Sequence, residues 1–305
     1  MLDISNIKAN NRLYGGVAGI KVGVTIDDIN WLVKFPGNLR ERQLENVNMS
    51  YSNSPLCEFL GSHLFEYFGI PVHETKLAIR GGKEVVMCRD FREDKVMYHF
   101  SELKATFEPA FVTADGFISD GCGTDLSEAL LVIREHPILH DVKDVEKRFW
   151  QMFIVDFILG NPDRNNGNWG ILVDNDKVSL TPVFDCGNAL CDKWDDTKMQ
   201  LFMSDENLFK GEAYGSKVCF YTENNKRIKP YRFLKNTDNV ICKKVLKELL
   251  VVWDTNNVFD KFQNLMRKTN SVTETQFEFY SKLLITRVEK LKEINNSLTD
   301  ISSFD

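Results

Sequence analysis

The sequence predicts an α+β chain in two unequal lobes: a small β-rich one over residues 1–92 with one key helix, and a larger, mainly helical one over 93–305. Three observations carry this. Short apolar runs separated by Gly- and Asp-rich turns fill the first part of the chain. Apolar residues at helical spacing begin at Val145 and return toward the C-terminus. Between these halves lies a loop dense in Asn, Asp and Gly, followed by a short hairpin.

In chain order, Gly15, Gly16, Val17, Ala18 and Gly19 open a glycine-rich segment that runs on to Gly23. Lacking Cβ, glycine lets backbone N–H groups come close to a phosphate. Asp27-Asp28 predicts a turn, and Trp31-Leu32-Val33-Lys34-Phe35-Pro36 an apolar strand with a single lysine. Ser54 reads as an N-cap and Pro55 as a first-turn proline, opening a helix with Leu56, Leu60, Leu64 and Tyr67 on one stripe and Gly69 at its end. Glu58 lies off that stripe. Strands over 72–79 and 84–91 flank the turn Arg80-Gly81-Gly82-Lys83. The second of them ends in Met87-Cys88-Arg89-Asp90-Phe91, a candidate interlobe hinge.

In the larger lobe, Asp144 reads as the N-cap of a helix over 145–159, with Phe149, Trp150, Phe153, Phe157 and Ile158 at helical intervals and Gly160 as its stop. The helix delivers the chain into Asn161-Pro162-Asp163-Arg164-Asn165-Asn166-Gly167-Asn168. Strands over 169–173 and 178–184, joined by Asp174-Asn175-Asp176-Lys177, return Asp185 of Phe184-Asp185-Cys186-Gly187 to the neighbourhood of Asp163 and Asn168. Asp156, inside the apolar helix, is expected to be structural and to accept hydrogen bonds from the loop's backbone. Helices over 241–254, 258–266 and 273–295 read as core scaffold, whereas 192–239 reads as mixed loops with scattered aromatics.

An aspartate five residues before an asparagine, then a hairpin and a second aspartate beside a glycine, is how protein kinases hold a hydroxyl and two metal ions around ATP. Taken with Gly15 to Gly23, Val33-Lys34-Phe35-Pro36 and Glu58, these motifs make the chain resemble the HipA-like serine/threonine kinases, particularly their short members. The resemblance covers roughly the first 190 residues. It implies a bilobal protein-kinase-like fold and transfer of the γ-phosphate of ATP to a serine or threonine of a protein. It implies that Asp163 aligns the substrate hydroxyl or takes its proton, that Asn168 and Asp185 bind Mg²⁺, and that Lys34 holds the α and β phosphates with Glu58 fixing it. In that kinase reading Met87 and Cys88, at the candidate hinge, would stand beside the nucleotide. A separate antitoxin, or a separate protein standing in for HipA's N-terminal subdomain, is the partner it implies besides the substrate.

Three departures qualify what carries over. Asn165 stands where many relatives have histidine, and it hydrogen-bonds without titrating near neutral pH. Gly16 stands where HipA carries the loop serine of self-inhibition, so phosphorylation at that position is not expected, although autophosphorylation elsewhere is compatible with the chemistry. Only about a dozen residues precede Gly15. In addition, Pro162 rather than a basic residue precedes Asp163 and no Ala-Pro-Glu follows Asp185, so no conventional activation-loop phosphate switch is expected.

Composition is that of an ordinary globular chain, 43% hydrophobic and 27% charged, with a formal net charge of -6 and no dense Lys/Arg block. Direct nucleic-acid binding is therefore not expected, because phosphate contacts need clustered positive charge. The same acidity disfavours the alternative of a phosphoinositide kinase, whose substrate needs a basic membrane-facing patch; a small-molecule kinase and an inactive nucleotide-binding partner module remain further alternatives. Seven cysteines without a CxxC pair predict reduced thiols and a cytoplasmic setting, with no signal peptide and no membrane span; secretion by a route that needs no signal peptide is the alternative.

Overall fold

The computed structural model describes residues 1–12, 14, 20–40, 49–108, 125–222, 224 and 226–301. The glycine-rich positions Gly15, Gly16, Val17, Ala18 and Gly19 lie outside the described residues.

Among the described residues, five strands form the small-lobe sheet: β1 (Leu2–Asp3), β2 (Lys21–Ile26), β3 (Ile29–Lys34), β4 (Thr75–Arg80) and β5 (Lys83–Arg89), in the order β1-β4-β5-β3-β2. Both hairpin turns need two successive residues of positive φ, which matches the right-handed twist of the flanking strands. Gly81 and Gly82 supply it at no steric cost, and Asp27 and Asp28 supply it as the side chains that best tolerate it. One face of the sheet closes a small core of Ile4, Val24, Trp31, Val33, Ala78, Val85 and Met87.

Helix α1 (Ser54–Tyr67) lies against the other face. Pro55 sits in its first turn as expected, but the N-cap position belongs to Asn53, whose amide donates to the Trp194 carbonyl (3.3 Å) instead of capping. The single-stripe expectation is too narrow. Cys57, Glu58, Gly61, Ser62 and Phe65 are buried as well as Leu56, Leu60 and Leu64, because α1 is clasped between the small sheet and the larger lobe.

Strand β6 (Val96–His99) pairs with β7 (Gly170–Asp174), which pairs with β8 (Lys177–Leu180), giving a second, three-stranded sheet. The hairpin is where the sequence placed it, though β8 stops at Leu180. The chain then leaves the ladder, and Val183 bridges Val72 instead, with the Val183 N–H donating to the Pro71 carbonyl and the His73 N–H to the Val183 carbonyl. This short seam joins the start of the small lobe's second hairpin to the segment carrying Asp185.

The remaining elements are helices: α2 (Phe100–Phe107), α3 (Leu126–Glu135), α4 (Pro137–His140), α5 (Val145–Leu159), α6 (Asp196–Ser204), α7 (Glu206–Gly215), α8 (Pro230–Asn236), α9 (Val240–Thr255), α10 (Val258–Lys268) and α11 (Glu274–Ile301). The stretch expected as mixed loops thus holds α6, α7 and α8. The first two start at Asp195 and Asp205, whose carboxylates accept from backbone N–H groups of the first turn. Helix α5 has the expected bounds and ends at Gly160 (φ +69°). Asp144 occupies its N-cap position in a left-handed conformation without a side-chain cap. Buried Arg287 of α11 donates to the carbonyls of Ile158 (3.2 Å) and Ala213 (2.9 Å). It fills the space a side chain at Gly160 would need, so the last helix fixes where α5 releases the chain into the loop.

Candidate active site

The period of two along β3 and β5 decides which side chains reach the cleft between the lobes. Val33 and its cross-strand partner Met87 face the small core, so Lys34 and Cys88, one residue further along, face the other way. Cys88 therefore lines the cleft as expected, while Met87 does not. It is buried on the far face of a central strand flanked by β3 and β4, and the segment that crosses between the lobes is Asp90-Phe91-Arg92. The cleft measures about 430 Å³, a usual size for a small-molecule site. Lys21, Lys34, Cys88, Asp163, Asn168 and Asp185 are among its lining residues.

On its small-lobe side, Lys34 Nζ lies 3.1 Å from Glu58 Oε2 and 2.7 Å from Asp185 Oδ1. The second oxygen, Glu58 Oε1, accepts the Asp185 backbone N–H (3.0 Å) and meets His73 Nε2 (2.9 Å), whose ring nitrogen also contacts Ser62 Oγ (3.2 Å). One buried carboxylate thus fixes Lys34 and the backbone of Asp185 together. Asp185 adopts φ +62°, a left-handed conformation open to aspartate, and in it the N–H reaches α1. Gly61 permits the close approach: a Cβ there would stand 2.7 Å from Cys186 Cβ. Burial would raise the Glu58 carboxyl, but the Lys34 ammonium and His73 outweigh it and hold it well below the usual carboxylate range. Burial would lower Lys34, yet Asp185 and Glu58 keep it above its ordinary value. Asp185 is likewise drawn down by Lys34 against its own desolvation.

Across the cleft, Asp163 is held by amides. Its carboxylate accepts from Asn188 Nδ2 (2.8 Å) and Asn165 Nδ2 (3.3 Å), and its N–H donates to Asn161 Oδ1 (3.1 Å). Its carbonyl accepts from Asn168 Nδ2 (2.6 Å), which leaves Asn168 Oδ1 as that side chain's remaining ligand atom. Desolvation and then the Asp185 charge push the Asp163 carboxyl above its ordinary value, while the two amide bonds oppose the rise. Asn165 consequently does the anchoring half of what a histidine in its place could do.

Beneath the loop, Arg164 is buried and fully used. Its Nε and Nη2 reach Asp156 (2.9 and 3.2 Å), Nη1 donates to the carbonyls of Asn168 (3.2 Å) and Phe184, and Nη2 meets Cys186 Sγ (3.3 Å). One guanidinium therefore staples helix α5, the Asp163 loop and the Asp185 segment. Asp156 is structural as expected, but the donors to its carboxylate are the side chains of Asn161 and Arg164 rather than loop backbone. At the interlobe segment, Asp90 accepts from Tyr14, Arg12 and Arg92 at 2.8–3.1 Å. Against its burial, the Arg92 hydrogen bonds pull the Asp90 carboxyl down to about 2, and burial with the Asp90 charge pushes the Tyr14 hydroxyl up to about 12.

The sequence-predicted residues Lys34, Asp163, Asn168 and Asp185 thus line one cleft, with Glu58 buried behind Lys34. Sequence reasoning missed His73, Asn188, the Asp90 hub and the role of Arg164. Asn188 offered one signal, an amide three residues after Asp185; His73 offered none, since only the seam with Val183 brings it under Glu58. The residues able to hold a divalent cation, Asn168 and Asp185 with Asp163 nearby, present oxygen ligands, which suit Mg²⁺. Among the described residues no helix is long and apolar enough to cross a membrane, and the six cysteines there are unpaired.

Comparison with known proteins agrees with this geometry. The model of the HipA-like C-terminal domain matches residues 14–246. The serine/threonine-protein kinase CtkA of Helicobacter pylori strain J99 is 30% identical over 285 residues, 92% of this chain and 83% of that protein. The crystal structure of a Helicobacter pylori proinflammatory kinase CtkA superposes with a TM-score of 0.84 at 26% identity, covering 97% of both chains. The toxin–antitoxin HipA of Shewanella oneidensis MR-1, solved with HipB and operator DNA, shares the fold alone, with a TM-score of 0.56 at 12% identity over 94% of this chain and 68% of that one. The architecture is the bilobal kinase-like one, and the chain belongs to the HipA-like C-terminal domain family.

Proposed function

We propose that this protein is an ATP- and Mg²⁺-dependent serine/threonine kinase whose small lobe comprises residues 1–92 and whose large lobe comprises 93–305. Its relatedness to a serine/threonine kinase along nearly its whole length supports the reaction class. One observation carries the finer reading: Lys34, Glu58 and Asp185 form a single ionic cluster that faces Asp163 and Asn168 across the cleft.

In this reading Lys34 swings its ammonium from Asp185 to the α and β phosphates when nucleotide enters, with Glu58 keeping the side chain extended. Asp185 and Asn168 Oδ1 would hold Mg²⁺, which supplies neutralisation of charge on the transferred phosphoryl group. Lys21, paired across the sheet with Lys34 and also at the cleft, adds positive charge for the triphosphate. Asp163, its carboxylate aimed by Asn188 and Asn165, orients the substrate hydroxyl and accepts its proton as the oxygen attacks the γ-phosphorus. The proposed setting is cytoplasmic, the acceptor a protein serine or threonine, and the partner a separate antitoxin-like or N-subdomain-like protein.

The test is transfer of labelled γ-phosphate from Mg-ATP to a generic protein, to a lysate and to the chain itself, with Asp163→Ala and Asp185→Asn as controls. Protein labelling abolished by both substitutions is the expected result. Labelling of a lipid or a small molecule alone, or failure to bind Mg-ATP, would overturn it.

A further inference from the structure

Among the described residues, one group of three metal-ligating side chains brings its donor atoms within 4.8 Å of one another: Glu58 of α1, His73 at the Val183 seam and Cys88 of β5. All three are buried, yet His73 and Cys88 also line the cleft, so an ion entering with the nucleotide's solvent can reach them. We propose that this trio is an inhibitory site for a thiophilic divalent cation such as Zn²⁺, lying behind the phosphate-binding lysine.

The donor set selects the ion. Carboxylate, imidazole and thiolate together suit Zn²⁺ or Co²⁺, whereas Mg²⁺ prefers the all-oxygen set across the cleft. Metal–ligand bonds of about 2.0–2.3 Å place tetrahedral donors roughly 3.3–3.8 Å apart, so the trio closes on an ion with about 1 Å of side-chain movement. Glu58 Oε1 and His73 Nε2 already stand 2.9 Å apart, sharing a hydrogen that on binding moves to His73 Nδ1 through solvent. Cys88 releases its thiol proton to solvent, and a cleft water completes four-coordination.

What binding does follows from the duties Glu58 already has. It holds Lys34 through one oxygen and the Asp185 N–H through the other. A dication on Glu58 repels the Lys34 ammonium and competes for the oxygen that anchors Asp185. Both the phosphate lysine and the magnesium ligand lose their positions, while Asp163 and its amides are untouched. Excess Mg²⁺ does not reverse this, since it does not compete for a thiolate. This consequence for catalysis rests on the kinase reading, but the binding itself does not.

Two readouts separate the questions. The first is titration of the full chain with Co²⁺, followed by thiolate-to-cobalt charge-transfer absorption and displacement by Zn²⁺. The expected result is one equivalent with a charge-transfer band, absent in Cys88→Ser, with cobalt affinity reduced in His73→Gln, which removes a ligand, and unchanged in Cys57→Ser, which removes a buried thiol outside the trio. Thermal melting shows whether each variant is folded. A band that persists in folded Cys88→Ser, or no saturable uptake by the unsubstituted chain, overturns the site. The second readout is phosphate transfer in Mg-ATP with one equivalent of Zn²⁺. The expected loss is at least about 10-fold and is restored by chelator; uptake without inhibition overturns the inhibitory role. A chain that transfers no phosphate refutes the kinase reading while the cobalt titration still decides the site.

Discussion

The two walls of the cleft are built on different physics. On the small-lobe wall, Lys34, Glu58 and Asp185 are held by charge, with one cation between two carboxylates. On the opposite wall, Asp163 is held by the neutral amides of Asn161, Asn165 and Asn188, and the loop beneath it by Arg164. An ion pair in a cleft can be re-partnered by an incoming triphosphate; an amide network holds its geometry without a charged partner. On the proposed function, the charged wall is the one an incoming triphosphate would re-partner, and the amide-held wall is the one that would keep its geometry.

The sharpest way to break that comparison is at the fixed wall. Asp163→Asn keeps the side-chain shape, removes the charge that can take a proton and turns one of the two oxygens that accept from Asn165 and Asn188 into a donor. Phosphate transfer should fall by ~100- to 10,000-fold, with Mg-ATP affinity nearly unchanged. A loss confined to nucleotide affinity would mean that Asp163 belongs to the charged wall instead.

Next in size is the mobile wall. Lys34→Met leaves Glu58 and Asp185 facing each other without a cation, and breaking a buried pair in this way costs about 3–5 kcal/mol. Asp185 is a third exposed, so the lower end of that range is the expected loss, seen as a fall in melting temperature alongside lost transfer. The double variant Lys34→Met/Glu58→Gln should recover part of the stability and none of the activity. No recovery would show that the cluster is not organised by charge.

What was legible in the sequence follows the same division. Local rules found α5 to the residue and both small-lobe turns, because spacing along one element or one hairpin encodes them, whereas the five site side chains were picked out by their motifs together with the resemblance to the HipA-like kinases. Met87 was misplaced because a strand's period fixes alternation but not which parity faces the cleft, and that is decided by pairing with Val33. The clasping of α1 could not be read from its stripe, since its second buried face is set by the later part of the chain. His73 and Arg164 act through contacts that sequence spacing does not encode: a bridge to Val183, and a guanidinium reaching the carbonyls of Asn168 and Phe184.

A smaller effect sharpens the account of the fixed wall. Asp163 must be ionised to accept a proton, and its carboxyl is raised by burial and by Asp185. Activity should therefore fall on acidification along a limb displaced upward from the ordinary aspartate value. Removing a hydrogen bond to the charged form raises the group further, so Asn188→Ala should move that limb to higher pH and lower the neutral-pH rate only modestly. A limb that stays in place would assign it to another group.

The smallest expected effect concerns a third ionic node that serves neither wall directly. Asp90 gathers Arg12, Tyr14 and Arg92 where the chain crosses between lobes, and its folded-state value of about 2 lies below its ordinary 3.8. A depressed carboxyl contributes stability that is present above the unfolded value and is lost as pH falls from about 3.8 toward 2. The arginines are each about one-third exposed, so screening reduces the contribution to roughly 1–2 kcal/mol. Asp90→Asn should lower the melting temperature by a few degrees at pH 7 and by progressively less as the pH is taken below 4. Because the node ties the segment ahead of the glycine-rich loop to the interlobe crossing, the same substitution should weaken Mg-ATP binding while leaving the acid limb of Asp163 where it was. A shift of that limb would mean that the hinge charge reaches the fixed wall, and the division between the two walls would fail.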